Sequence, residues 1–159
     1  MTEADQPVFY YDLASPACYL VAEQMLSALP IVAEWEPVLA SDIGVREPVP
    51  EREVIERRAR ELRLQPLRWP ERWPPEGRRA MLAATYAKGV GRAVAFSLAA
   101  FRQQFAAGRD LGDEATTLLA GAACEMHPTA VLKGISLRSV AQSLGRAGER
   151  ARDCGVRSL

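Results

Sequence analysis

The feature that most constrains the fold is a short apolar segment, residues 8–11, that runs through a turn into a helix. Its sequence is Val-Phe-Tyr-Tyr, and β-branched and aromatic residues favour a buried strand. Ser15 followed by Pro16 is typical of a helix N-cap with proline at the first helical position. Apolar residues then recur at helical spacing over residues 16–29. The segment therefore predicts a βα unit.

A second strand is predicted soon after this helix. Pro30 ends the helix, and residues 31–39 are extended in character, with β-branched and aromatic side chains. A strand, a crossover helix and a second strand form the unit that builds parallel sheets, and such crossovers are almost always right-handed. The fold class predicted for the start of the chain is therefore α/β.

The first helix turn also carries a recognisable pattern, Ser15-Pro16-Ala17-Cys18. With its flanking residues 9–20, it resembles the DsbA-like thioredoxin superfamily, and most closely the branch of 2-hydroxychromene-2-carboxylate isomerases and kappa-class glutathione transferases. That branch typically has Ser-Pro-x-Ser-Tyr-Leu here, whereas the disulfide oxidoreductases have Cys-x-x-Cys. Residues 35–39 resemble the branch's Trp-x-Pro-Val-Leu strand end. The resemblance implies a thioredoxin-like βαβ core with a large all-α insertion.

The resemblance also implies a thiol-linked function, either oxidoreductase or isomerase, with glutathione as cofactor. Ser15 then holds the position that binds the glutathione thiolate, and Cys18 holds that of the resolving cysteine. Both are candidate catalytic residues, and Pro16, Ala17 and Trp73 are candidates for binding glutathione or a small-molecule or thiol substrate. Serine cannot form a redox disulfide, so ordinary dithiol cycling is excluded if Ser15 holds the nucleophile's position. Two alternatives remain, a purely structural N-cap serine and a non-catalytic binding or dimerisation module.

The chain divides into three parts on this interpretation. Residues 1–49 form the N-terminal βαβ part of the core, residues 50–152 the helical insertion, and residues 153–159 the start of the C-terminal core segment. The superfamily continues from that point into a cis-proline strand. We therefore expect either a truncated core or a homodimer in which a second copy supplies the missing sheet edge.

Helices dominate the predicted insertion. A charged helix is expected over residues 50–64, with opposite charges four residues apart, such as Glu53 and Arg57. An alanine-rich region over 78–107 is predicted to break at residues 89–91. Three more helices are predicted to begin at Asp113, Pro128 and Ser136, the last reaching about residue 152.

The segment between the first two of these regions, residues 66–75, contains too many prolines for a regular helix or central strand. Its proline-flanked Trp69 and Trp73 predict either a rigid apolar wall of a small-molecule pocket or simple interface packing. The isomerase branch has an asparagine at about the position of Glu76, so this chain departs from the branch there. Interleaved arginines and tryptophans can also bind single-stranded nucleic acid, but a net charge of zero argues against that partner.

Cysteine and histidine usage favours a cytoplasmic protein without a metal. The three cysteines, Cys18, Cys124 and Cys154, form no paired close-spaced motif. His127 is the only histidine, and Cys124 three residues away would share its helix face, but two ligands do not make a structural zinc site. His127-Pro128 is instead expected to end one helix and begin the next. The N-terminus has no secretory signal pattern, and no apolar run is long enough to span a bilayer. No membrane or nucleic-acid partner is expected.

Overall fold

The structure is a computed structural model, and it describes residues 6–29, 32–44 and 51–159. Its elements are, in chain order, β1 (Val8–Tyr11), α1 (Pro16–Ala28), β2 (Glu34–Pro37), a 3₁₀ turn (Ala40–Ile43), α2 (Arg52–Glu61), α3 (Arg78–Gly89), α4 (Ala93–Phe105), α5 (Glu114–Ala123), α6 (Pro128–Ser136) and α7 (Arg138–Asp153). The predicted strand–helix–strand start and the helical remainder are both confirmed. The predicted boundary between residues 49 and 50 lies outside the described residues.

The two strands form a parallel pair. Val8 lies opposite Glu34, and Tyr11 lies opposite Pro37. Because successive side chains of a strand point to opposite faces, Phe9, Tyr11 and Trp35 share one face, where their rings are 5.1–5.6 Å apart between centroids. Tyr10 and Glu36 lie on the other face. The second strand is shorter than the predicted 31–39, whose first residue lies outside the described residues.

Helix α4 covers the aromatic face of the sheet. The ring centroids of Tyr11 and Phe101 are 6.0 Å apart, and the Tyr11 hydroxyl lies 2.5 Å from Ser97 Oγ. Both Tyr11 and Phe101 are fully buried. Burial raises the pKa of the Tyr11 phenol well above its usual range. The Tyr11 hydroxyl therefore stays protonated and acts as a fixed structural contact.

Small residues let the helices that follow β2 approach one another closely. Ala80, Ala83, Ala84 and Ala87 of α3 are all fully buried. On α6, Gly134 lies so close to Tyr86 that an added Cβ atom would enter the tyrosine ring. The alanine content read as helix propensity in the sequence is thus also a packing device, because a side chain of one carbon allows two helix axes to come together.

The helix boundaries follow local signals in most places. The predicted break at residues 89–91 is confirmed, since α3 ends at Gly89 and Gly91 takes a φ of +77°, which favours glycine. The prediction that Ser136 opens the last helix is wrong. Ser136 is the final residue of α6, where its hydroxyl donates to the Lys133 carbonyl, and Leu137 precedes the first turn of α7.

The charged helix α2 also differs from its prediction in detail. It begins at Arg52 and ends at Glu61, and its predicted start at residue 50 lies outside the described residues. Among the described residues, the ion pair within this helix joins Arg58 and Glu61, three apart, at 3.0 Å. Glu56 instead accepts a hydrogen bond from Trp69 Nε1 at 3.0 Å. That contact ties α2 to the proline-rich segment.

The prediction that His127-Pro128 lies between two helices is confirmed, and Cys124 and His127 do not share a helix face. Helix α5 ends at Ala123, Cys124 follows it, and His127 is the N-cap of α6, where its Nδ1 accepts from the backbone N–H of Thr129. Cys124 is buried, as expected for a cysteine that packs as a small hydrophobe, and burial raises the pKa of its thiol. Within the described ranges, no group of three or more His, Cys, Asp or Glu residues is placed to hold a metal ion. None of the described helices is both long and apolar enough to cross a membrane.

Candidate functional site

The turn between β1 and α1 is held by the carboxylate of Asp12. Oδ1 of Asp12 accepts from the backbone N–H of Ala14, and Oδ2 accepts from that of Ala40, each at 2.9 Å. The Asp12 carbonyl accepts from the backbone N–H of Ser15 at 3.0 Å. One buried side chain therefore shapes the turn and joins it to the residues that follow β2.

Two helices of the second part contact the same turn. Gln104 of α4 donates its Nε2–H to the Leu13 carbonyl at 2.7 Å, and Leu13 N–H lies 3.3 Å from the sulfur of Met81 in α3. Gln104 is fully buried, and its Oε1 has no hydrogen-bond partner among the described residues. Both polar backbone groups of Leu13 are thus satisfied by side chains of the helical part.

Ser15 is the N-cap of α1, as predicted, and is 7% exposed. Its Oγ accepts from the backbone N–H of Cys18 at 3.1 Å, the usual bond of an N-cap serine. The same hydroxyl donates to the backbone carbonyl of Leu159 at 3.1 Å. The far end of the described chain therefore lies directly against the first turn of α1.

Among the described residues, one backbone N–H in the first turn of α1 has no acceptor. Pro16 has no N–H, and that of Cys18 is bonded to Ser15 Oγ. The N–H of Ala17, an exposed residue, has no acceptor among the described residues. Gly77, the N-cap of α3, lies beside Ala14, so that an added Cβ would be 3.8 Å from the Ala14 methyl. Two helix N-termini meet here, and each has a positive dipole end that favours negative charge.

Cys18 points into the protein and is 4% exposed. All three cysteines lie among the described residues, and none is in a disulfide. The thiol of Cys18 is therefore not presented to a large disulfide substrate.

Trp73 belongs to a row of aromatic rings that leads to α1. Trp73 packs edge-to-face on Trp69 with centroids 5.2 Å apart, Trp69 on Phe105 at 5.7 Å, and Phe105 stacks on Tyr19 at 5.3 Å. Trp73 is half-buried, and its Nε1 has no hydrogen-bond partner in the described ranges. The structure thus unites Ser15 to Cys18 in one turn and links Trp73 to it through other rings. The role of Trp73 in binding stays a prediction.

Several site residues were not found by sequence reasoning. Asp12, Gln104, Met81 and Leu159 all contact the turn but lie on four different parts of the chain. Only Asp12 had a local signal, because aspartate commonly bonds to a backbone N–H two residues on. The other three are ordinary helix or chain-end residues whose roles depend on the packing.

Comparisons with known proteins give a match in three dimensions. No protein-family model matches the chain, and no curated protein sequence matches it. Among solved structures, the chain is similar to a selenomethionine 2-hydroxychromene-2-carboxylate isomerase (HCCA isomerase) with a TM-score of 0.80 and 17% sequence identity. The match covers 95% of this chain and 81% of that one. The chain thus has the thioredoxin-like fold with a helical insertion seen in that isomerase.

Proposed function

We propose that this protein is a thiol-dependent enzyme of the isomerase type, which holds the thiolate of glutathione at the N-terminus of α1. The observation that carries the proposal is Ser15, an N-cap hydroxyl next to the exposed Ala17, whose N–H has no acceptor among the described residues. A hydroxyl and a backbone N–H can both donate to a thiolate. The positive end of the helix dipole would lower the pKa of the bound thiol.

The hydroxyl of Ser15 has one proton to donate, and in this structure the Leu159 carbonyl accepts it. A hydroxyl rotates about its C–O bond, so donation to a thiolate would replace the bond to Leu159 without moving the backbone. The bond that Ser15 Oγ accepts from Cys18 N–H uses a lone pair and would persist. Binding would therefore cost one hydrogen bond at Leu159 and form a charge-assisted one in its place.

Isomerase chemistry fits this site better than disulfide exchange. Ser15 cannot form a disulfide, and the Cys18 thiol is buried, so the motif lacks an exposed attacking cysteine. In an isomerisation that uses a thiol, the thiolate adds to the substrate and leaves again, so glutathione is regenerated and no oxidant is consumed. The structural neighbour is an isomerase, which supports this choice of reaction class.

Calorimetric titration with reduced glutathione tests the proposal. We expect Ser15→Ala to weaken binding about tenfold or more, the equivalent of about 1.4 kcal/mol, and Ser15→Thr to restore most of it, because threonine also caps helices. S-methylglutathione, which has no thiolate, should bind wild type no better than reduced glutathione binds Ser15→Ala. Equal binding by wild type and Ser15→Ala would refute the proposal.

A second arm separates the isomerase from a monothiol oxidoreductase. Intact-mass analysis after incubation with oxidised glutathione, with Cys18→Ala as control, reports any adduct on Cys18. We expect none on the folded protein, since the thiol is buried. A rapid adduct on Cys18 would favour thiol exchange, and no interaction with glutathione in either arm would favour a non-catalytic binding module.

A further inference from the structure

A cavity lies on the other face of the sheet, between β2, α3 and α7. Its volume is about 370 Å³, and it is lined by Glu34, Glu36, Thr85, Lys88, Gly89, Ser143, Arg146 and Arg150. Glu34 is at the start of β2, whereas the Ser15 turn follows the end of β1. Because the two strands are parallel, the cavity is displaced toward the end of the sheet opposite to the thiol site.

The centre of this cavity is a buried carboxylate with a cation on each oxygen. Oε1 of Glu36 accepts from Arg150 Nη2 at 2.9 Å, and Oε2 accepts from Lys88 Nζ. Lys88 also donates to Glu34 Oε1 at 2.7 Å. A buried carboxylate is costly unless it is paired in this way. Glu36 therefore holds Lys88 and Arg150 at the cavity wall.

Counted over the described residues, the charges of the lining leave one cation without a balancing carboxylate. Glu34 and Glu36 offset Lys88 and Arg150, and Arg146 remains. Arg146 forms no ion pair with any described residue, and its Nη2 donates to Ser143 Oγ at 3.1 Å. Its other guanidinium N–H groups, and those of Arg150 not used by Glu36, have no acceptor among the described residues. The cavity thus presents several cationic donors and a hydroxyl, all on its α7 side.

We propose that this cavity binds a small ligand with an oxyanion group, a carboxylate or a phosphate, between Arg146 and Arg150. A guanidinium presents a planar fork of N–H donors that matches two oxygens of such a group. Ser143 steadies Arg146, and Glu36 steadies Arg150, so both forks are oriented before the ligand arrives. The ligand's negative charge balances the surplus cation. This site does not depend on the thiol chemistry proposed for Ser15.

Titration calorimetry with two probes, inorganic phosphate and succinate, tests the site at constant ionic strength maintained with sodium chloride. The test variant is Arg146→Gln, which leaves the Glu36 ion pairs intact. The matched control is Arg138→Gln, since Arg138 is exposed on the same helix and its side chain contacts no described residue through a hydrogen bond or ion pair. Urea unfolding of each variant verifies that the fold is retained.

We expect wild type and Arg138→Gln to bind at least one probe with the same affinity, and Arg146→Gln to bind it about tenfold more weakly, the loss of one charge-assisted contact. Preference for phosphate over succinate would assign a phosphate-bearing ligand, and the reverse an organic acid. Absence of binding by either probe, or equal binding by Arg146→Gln, would overturn the proposal.

Discussion

Ser15 and Cys18 are joined by a hydrogen bond between the backbone N–H of Cys18 and the side-chain hydroxyl of Ser15. The N–H of Cys18 donates to Ser15 Oγ at 3.1 Å, while the Cys18 thiol is turned into the core. The four-residue pattern that resembles a redox motif in sequence is therefore a capped helix start in three dimensions. Its serine hydroxyl bonds two backbone groups, those of Cys18 and Leu159.

This arrangement predicts the order in which the cysteines react. Cys154 is exposed and accepts a hydrogen bond from the Tyr10 hydroxyl at 3.7 Å, whereas Cys18 and Cys124 are buried. With iodoacetamide at about pH 8, we expect Cys154 to be alkylated first and the other two only after unfolding in urea. Peptide mapping at successive times, with Cys154→Ser as control, measures this. Labelling of Cys18 as fast as Cys154 would contradict the buried position of the thiol.

The contacts of Gln104 predict how its substitution changes the stability of the protein. Gln104→Leu removes the hydrogen bond to the Leu13 carbonyl but also removes the unpartnered Oε1, so the net loss should be only about 1 kcal/mol. Gln104→Glu places an acid at the same buried position, and its carboxylate cannot donate to Leu13. We expect a larger loss at neutral pH, about 3 kcal/mol or more.

The two Gln104 variants should also differ in pH dependence. Burial raises the pKa of an introduced glutamate above its unfolded value, so its protonated form is the one that fits the fold. The stability of Gln104→Glu should therefore be highest at low pH and fall as pH rises through the unfolded pKa, relative to Gln104→Leu. Urea unfolding followed by circular dichroism gives both curves, and parallel curves would show that position 104 does not sense the charge.

The ion pair of Glu34 predicts a pH dependence of stability opposite in sign to that of Gln104→Glu. The pKa of Glu34 is lower than the usual 4.5 because Lys88 donates a hydrogen bond to it and adds a favourable charge interaction. Such a group stabilises the fold above its unfolded pKa, and that contribution is lost as pH falls through the folded pKa. Wild type should thus lose more stability than Glu34→Gln between about pH 6 and about pH 3. Half-exposure of the side chain keeps the difference below about 1 kcal/mol.

Urea unfolding of both proteins at each pH measures this difference. High salt should reduce it, because the pair is partly solvated. Identical pH profiles for wild type and Glu34→Gln would show that the Lys88 contact does not persist in solution.

Two helix glycines, one in a tight contact and one in open space, test the packing of the helices that follow β2. Gly134→Ala would drive a methyl group into the Tyr86 ring, and overpacking of this kind costs about 1–3 kcal/mol. Gly145 of α7 has nothing within 4 Å of an added Cβ, so Gly145→Ala should stabilise the protein by up to about 1 kcal/mol through helix propensity. Thermal unfolding of the two variants should shift the midpoint in opposite directions. A stabilised Gly134→Ala would show that α3 and α6 are farther apart.

Local sequence signals determined most of the secondary structure. The Ser15–Pro16 cap, the break near Gly91 and the helix start at Pro128 all followed from residues within a few positions of the boundary. Capping, proline and glycine preferences act over one turn of chain, so a single sequence reveals them. The boundary at Ser136 was missed because a serine at the end of one helix and a serine that caps the next look alike in sequence.

Tertiary structure alone decided how the sites are assembled. At the turn that contains Ser15, hydrogen bonds join residues far apart in the chain. Asp12 and Ala40 are 28 residues apart, Leu13 and Gln104 are 91 apart, and Ser15 and Leu159 are 144 apart. Glu36 and Arg150 at the cavity between β2, α3 and α7 are 114 residues apart. Local propensity cannot identify such pairs, because what joins them is the need to satisfy buried polar groups once the helices pack over the sheet.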